Sequence, residues 1–117
     1  MTKWDEIRKV VEQDCGAAGR YIDDDGATCV IGAMALAAGV PKETLLAYNL
    51  SALIQFPGTD AIMQHFEITS AILLLMLQYA NDSHSWIDGD VVRLRRERVL
   101  AIIDREEAHE RNRPSIR

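Results

Sequence analysis

Cysteine is scarce in this chain: Cys15 and Cys29 are the only two among 117 residues. Two cysteines in a chain this long make no disulfide framework. They also fall short of a structural zinc site, because His65, His84 and His109 show no C-x-x-C or H-x-x-x-H spacing that would complete one. Long apolar runs are missing too. The longest, Ala71–Leu77, has seven residues, well below the ~20 that a membrane-spanning helix needs. The start, M-T-K-W-D-E-I-R-K, is charged and has no apolar signal core. These absences lead to the expectation of a reduced, cytoplasmic protein. Positive charge is in deficit, with 13 Lys+Arg against 18 Asp+Glu and a net charge of −5. That balance disfavours direct binding to nucleic acid or to an anionic membrane. The phosphate-cradling loops G-x-x-x-x-G-K-[ST] and G-x-G-x-x-G do not occur, and neither does the G-x-S-x-G elbow.

What is present suits one folded domain. Apolar residues make up 48 % and charged residues 26 %, ordinary values for a globular protein, and the length suffices for its own core. The charge is uneven. Residues 93–117 hold eight Lys+Arg and five Asp+Glu, a balance of +3, which leaves −8 on residues 1–92. A basic C-terminal helix against an acidic body is expected to be a solvated, self-complementary surface.

The best-defined stretch is Asp23–Pro41. Asp23-Asp24-Asp25-Gly26 reads as a turn. Thr28 to Ala38 is small or apolar nearly all round, the pattern of a buried helix. Thr28 is its expected N-cap, Gly39 its C′ residue, and Pro41 the N1 residue of the next helix. A first helix, Trp4–Gln13, places Trp4, Ile7, Val10 and Val11 on one face. Pro41–Asn49 should bury Leu45, Leu46 and Tyr48, and Thr59 or Asp60 should cap a short helix through Phe66. In Ile68–Ala80, the stripe Ile72, Leu75, Met76 and Tyr79, widened by Leu73, Leu74 and Leu77, is expected to be core. Asp90 should cap a last helix to about Glu110, with Arg93 and Glu97 paired at i, i+4. Residues 111–117 are expected to be a flexible tail.

Chemistry has few candidates. Cys29 near a helix start, with His84 as base and Asp82 or Asn81 orienting it, spells a thiol-hydrolase order of residues. Three aspartates upstream oppose thiolate formation, and Val30 and Ile31 beside it suit a buried cysteine. A calcium loop fails: with Gly26 at position 6, position 1 falls on Tyr21 and position 12 on Gly32. Asp82, His84, Asp88 and Asp90 lie within nine residues but read as loop and cap residues, so no metal and no cofactor are expected. Arg93, Arg95, Arg96 and Arg98 form no single stripe, and Trp86 is their only nearby aromatic.

The series D-x-D-G-x-x-C-x-x-G-A-x-x-x-A-A-G (Asp23 to Gly39), N-D (Asn81-Asp82) and R-V-L-A-I-I-D (Arg98 to Asp104) resembles a family of small uncharacterised actinobacterial and phage proteins. Members often carry Trp before the N-D pair, where this chain has Ala80. The resemblance transfers no activity. It implies the setting of a phage or mobile-element accessory protein, a class in which small acidic inhibitors of host defence are common.

The expected fold is mainly α: a compact single-domain bundle of about five helices over residues 1–110. A short β ribbon near residues 20–30 is the one place for strand. The expected function is a small acidic non-enzymatic interaction protein that occludes a protein partner. Its contacts would come from Asp23, Asp24, Asp25, Asn81, Asp82, His84, Trp86, Arg93 and Arg96. The rival readings are a thiol hydrolase using Cys29 and His84, and a small-ligand (nucleotide) module with a pocket beside the helix after Asp25.

Overall fold

Six α-helices and one 3-10 turn account for the regular structure in the computed structural model, which describes residues 2–13, 20–82 and 91–112. In chain order they are α1 (Lys3–Gln13), α2 (Val30–Ala37), α3 (Lys42–Ala47), the 3-10 turn Leu53–Gln55, α4 (Gly58–His65), α5 (Ala71–Asp82) and α6 (Val91–Asn112). The expected ribbon reduces to an isolated antiparallel bridge between Ile22 and Thr28. The chain is a helical bundle, and α2 is its hub, packed against α1, α4 and α5.

The composition of α2 explains that position. Val30 through Ala35 are all buried, as a helix without a polar face requires. A Cβ at Gly32 would run into the carbonyl oxygen of Tyr21, so the glycine lets the 20–22 segment cross the helix at backbone contact. The helix ends in a Schellman turn: Gly39 takes φ +91°, its N–H donates to Leu36 O (3.0 Å), and Val40 N–H donates to Ala35 O (2.9 Å). Two expected boundaries shift. Cys29, not Thr28, is the N-cap, and Pro41 is the N-cap of α3 rather than its N1 residue.

Helix α1 buries Trp4, Ile7, Val10 and Val11, the face its spacing predicts. Helix α5 meets its expectation in part: Leu74 and Leu77 are core as expected, but the central stripe is not. Leu74, Leu77, Ala80 and Asn81 are inside, while Ile72, Leu75 and Tyr79 are exposed. Its first seven residues are almost all large and apolar, so periodicity offers two equivalent faces. The buried hydrogen bond of Asn81, described below, selects between them. Leu45 is buried, but Leu46 and Tyr48 are not, because α3 stops at Ala47 and the chain turns at Tyr48 through Ser51 N–H to Tyr48 O (2.9 Å). Thr59 is not a cap: its hydroxyl donates to Leu53 O (2.7 Å), and α4 begins at Gly58 behind Pro57. Helix α6 buries Val99 and Ile103 and runs on to Asn112, beyond the expected end. No helix among the described residues is long and apolar enough to cross a membrane.

Candidate functional site

The start of α2 brings Cys29 and Asn81 together. Cys29 has extended backbone (φ −77°, ψ 174°), its Sγ accepts from Gly32 N–H at 3.3 Å, and its own N–H donates to Tyr21 O at 3.3 Å. Asn81 reaches in from α5, and its Oδ1 accepts from Val30 N–H at 2.9 Å. Two side chains from distant parts of the sequence thus satisfy N–H groups that a helix start leaves open. Cys29 is 2 % exposed. Burial pushes its thiol from the ordinary 9.0 up to about 12; Gly32 and Ile31 N–H groups oppose the shift, and the Asp82 charge adds to it. A sealed, protonated thiol is not presented to a substrate. The hydrolase reading therefore loses its nucleophile, and Cys29 is a capping residue.

Asn81 is fully buried, which corrects its assignment to a contact surface. Its Nδ2 donates to Asp82 Oδ1 at 3.3 Å, and Asp82 itself is half-buried. Tyr21 completes the cluster. Its ring stacks on Phe56 (4.2 Å between centroids, 16° between planes), and its hydroxyl donates to Ser51 O at 2.9 Å. Burial raises the phenol pKa, a hydrogen bond with Gln78 opposes this, and the charges of Cys29 and Asp82 reinforce it.

The acidic turn is partly self-consumed. Asp23 Oδ1 accepts from Asp25 N–H and Ala27 N–H, both at 2.9 Å, an Asx arrangement. Asp24 and Asp25 are exposed, and Arg20 lies 3.9 Å from Asp24. Sequence reasoning overlooked Asn49. Its Oδ1 accepts from Tyr21 N–H (2.8 Å) and Ile22 N–H (3.0 Å), and its Nδ2 donates to Ile22 O (2.7 Å). These bonds clamp the segment after α3 to the base of the acidic turn. Nothing local marks Asn49, since its partners lie nearly thirty residues upstream.

The clamp presents apolar side chains. Leu50 is 85 % and Ile54 93 % exposed, with Leu46 open beside them. Arg20, Leu46, Leu50 and Gln55 line a groove of about 500 Å³ there. The hollow beside α2 that a ligand reading requires is about 330 Å³, and among the described residues its polar side chains are Gln13 and Thr28. Arg93 donates to Glu97 at 2.9 Å, the expected i, i+4 pair, and Arg96 is half-buried. His84, Trp86, Asp88 and Asp90 lie outside the described residues. Among the described residues no group of three His, Cys, Asp or Glu side chains is placed to hold a metal ion. No family model, curated protein or solved structure matches the chain.

Proposed function

We propose that this chain is a small acidic, non-enzymatic interaction protein that binds and occludes a protein partner. The observation that carries the reading is the pair Leu50 and Ile54, nearly fully exposed on a segment that Asn49 ties down with three hydrogen bonds. Apolar side chains held out on fixed backbone lose little entropy on binding, which suits an anchor. Burying both would contribute roughly 3–5 kcal/mol before the costs of association. The exposed carboxylates of Asp24 and Asp25 follow the clamped residues Tyr21 and Ile22 in the chain, so the fitting partner offers an apolar pocket with a Lys/Arg rim. A nucleic-acid-binding protein has such a rim. Within this proposal the chain acts in the cytoplasm as a phage or mobile-element inhibitor of a host defence protein, the setting its motif resemblance implies.

The test is capture from a host lysate by the immobilised chain beside a Leu50→Glu/Ile54→Glu variant with an unchanged circular dichroism spectrum. The wild type should retain a protein that the variant loses, with binding weakened by about tenfold or more. Identical retention by both chains, or retention of nothing by the wild type, would reject this function.

A further inference from the structure

We infer that Tyr21 is the positioning residue of the Leu50–Ile54 surface, an inference that rests on the binding role proposed for that surface. The segment 49–56 turns its side chains two ways. Leu53 and Phe56 are buried, while Leu50 and Ile54 stand out. Its only regular structure is the three-residue 3-10 turn Leu53–Gln55. Two buried side chains on so short a piece do little to fix where the outward pair points.

Tyr21 supplies the rest. It meets the segment at three points. Its N–H donates to Asn49 Oδ1 (2.8 Å), its hydroxyl donates to Ser51 O (2.9 Å), and its ring stacks on Phe56 (4.2 Å between centroids). Leu50 falls between the first two points in the chain and Ile54 between the last two. Tyr21 is itself fixed to the hub. Its carbonyl oxygen accepts from Cys29 N–H (3.3 Å) and occupies the place that a Cβ on residue 32 would need, which glycine leaves open. The direction of Leu50 and Ile54 is thereby set against α2, whose residues Val30 through Ala35 are all buried. The hydroxyl is the diagnostic part of the side chain. Phenylalanine would fill the same ring volume and keep the stack on Phe56. A buried phenol oxygen adds little to packing and needs a hydrogen-bond partner, and here the partner is the carbonyl of Ser51, inside the presenting segment.

Hydrogen exchange of the free, full chain tests this with two variants, Tyr21→Phe and Ile103→Val. The second thins the buried core of α6 at a cost of about 1 kcal/mol and touches nothing in the segment. The Gln55 and Phe56 amides donate to Ala52 O (2.9 and 3.1 Å). In Tyr21→Phe they should exchange about tenfold faster than in the wild type, the loss expected of one buried hydrogen bond. In Ile103→Val they should keep wild-type rates, because the segment opens without the rest of the fold. Unchanged rates in Tyr21→Phe, as when the phenol serves only Gln78 of α5, overturn the inference. So does equal acceleration in both variants, which would make Tyr21 a residue of global stability alone. Binding follows the fraction of chains in the competent conformation. Tyr21→Phe combined with Asn49→Ala, with an unchanged circular dichroism spectrum, should therefore weaken capture of the lysate protein by about threefold or more; retention equal to wild type also overturns the inference. Exchange is read without a partner, so a wild type that captures nothing rejects the proposed function and is distinct from failure here.

Discussion

Asn81 is polar and fully buried near the end of a helix, so its side chain needs partners. It finds one in the N–H of Val30, 51 residues away in sequence. Truncation would strand that N–H, which Cys29 Sγ does not reach because it serves Gly32. Asn81→Ala should therefore cost about 2–3 kcal/mol, combining an orphaned buried donor with a small cavity. Urea denaturation checks this as a lowered midpoint with an unchanged slope. A loss below about 0.5 kcal/mol, the range of ordinary surface changes, would mean that water takes over the cap. The same residue fixes the rotation of α5 and so exposes Ile72, Leu75 and Tyr79. One amide thus links the start of α2 to the outer surface.

Between elements, the ion pairs that join α1 to α6 among the described residues put the cations on α1 and the acids on α6, the opposite polarity to a basic last helix lying on an acidic body. The bridges to α6 run from cations on α1: Lys3 to Glu110 (3.2 Å), and Arg8 to both Asp104 (2.8 Å) and Glu107. These hydrogen bonds, with Glu107 first, drive the Arg8 pKa above its ordinary range. Along α6 itself, Arg93 pairs with Glu97, Arg105 with Glu106 and Arg111 with Glu107. Arg8 keeps 23 % of its side chain exposed, so the clamp is partly screened. A double-mutant cycle of Arg8→Ala and Glu107→Ala should give a coupling of about 1 kcal/mol. The coupling should shrink in 1 M salt. A value near zero at low salt would show that Arg8 contributes through its buried stem alone.

At the scale of the whole molecule, two buried acids weight its pH response toward the alkaline side. The folded chain holds the Cys29 proton up to about 12, while the unfolded thiol releases it near 9.0. Between those values the unfolded state binds fewer protons, so stability falls as pH rises. Tyr21, whose pKa is also raised, acts in the same direction. Stability should be flat in this respect below pH 9 and decline toward 12. Cys29→Ala, though less stable at pH 7, should show a slope shallower by about 1 kcal/mol per pH unit in that window. Parallel slopes for the two chains would show that another group governs the alkaline limb.

The sequence by itself determined the helical class, the apolar hub at α2, the face of α1 and the Schellman stop at Gly39. Each of these rests on short-range rules: an all-apolar helix has to be buried, and a left-handed residue after a helix favours glycine. The thiol's burial was legible too, in the apolar neighbours of Cys29. Tertiary structure alone decided which way α5 turns, which apolar residues stay outside, and that Asn49 and Asn81 are clamps rather than contacts. The reason is physical. A helix apolar on all sides has no preferred face until a partner forms, and an asparagine's hydrogen bonds to distant backbone leave no periodic mark in the chain. Ile72, Leu75 and Tyr79, which periodicity placed in the core, therefore stand outside.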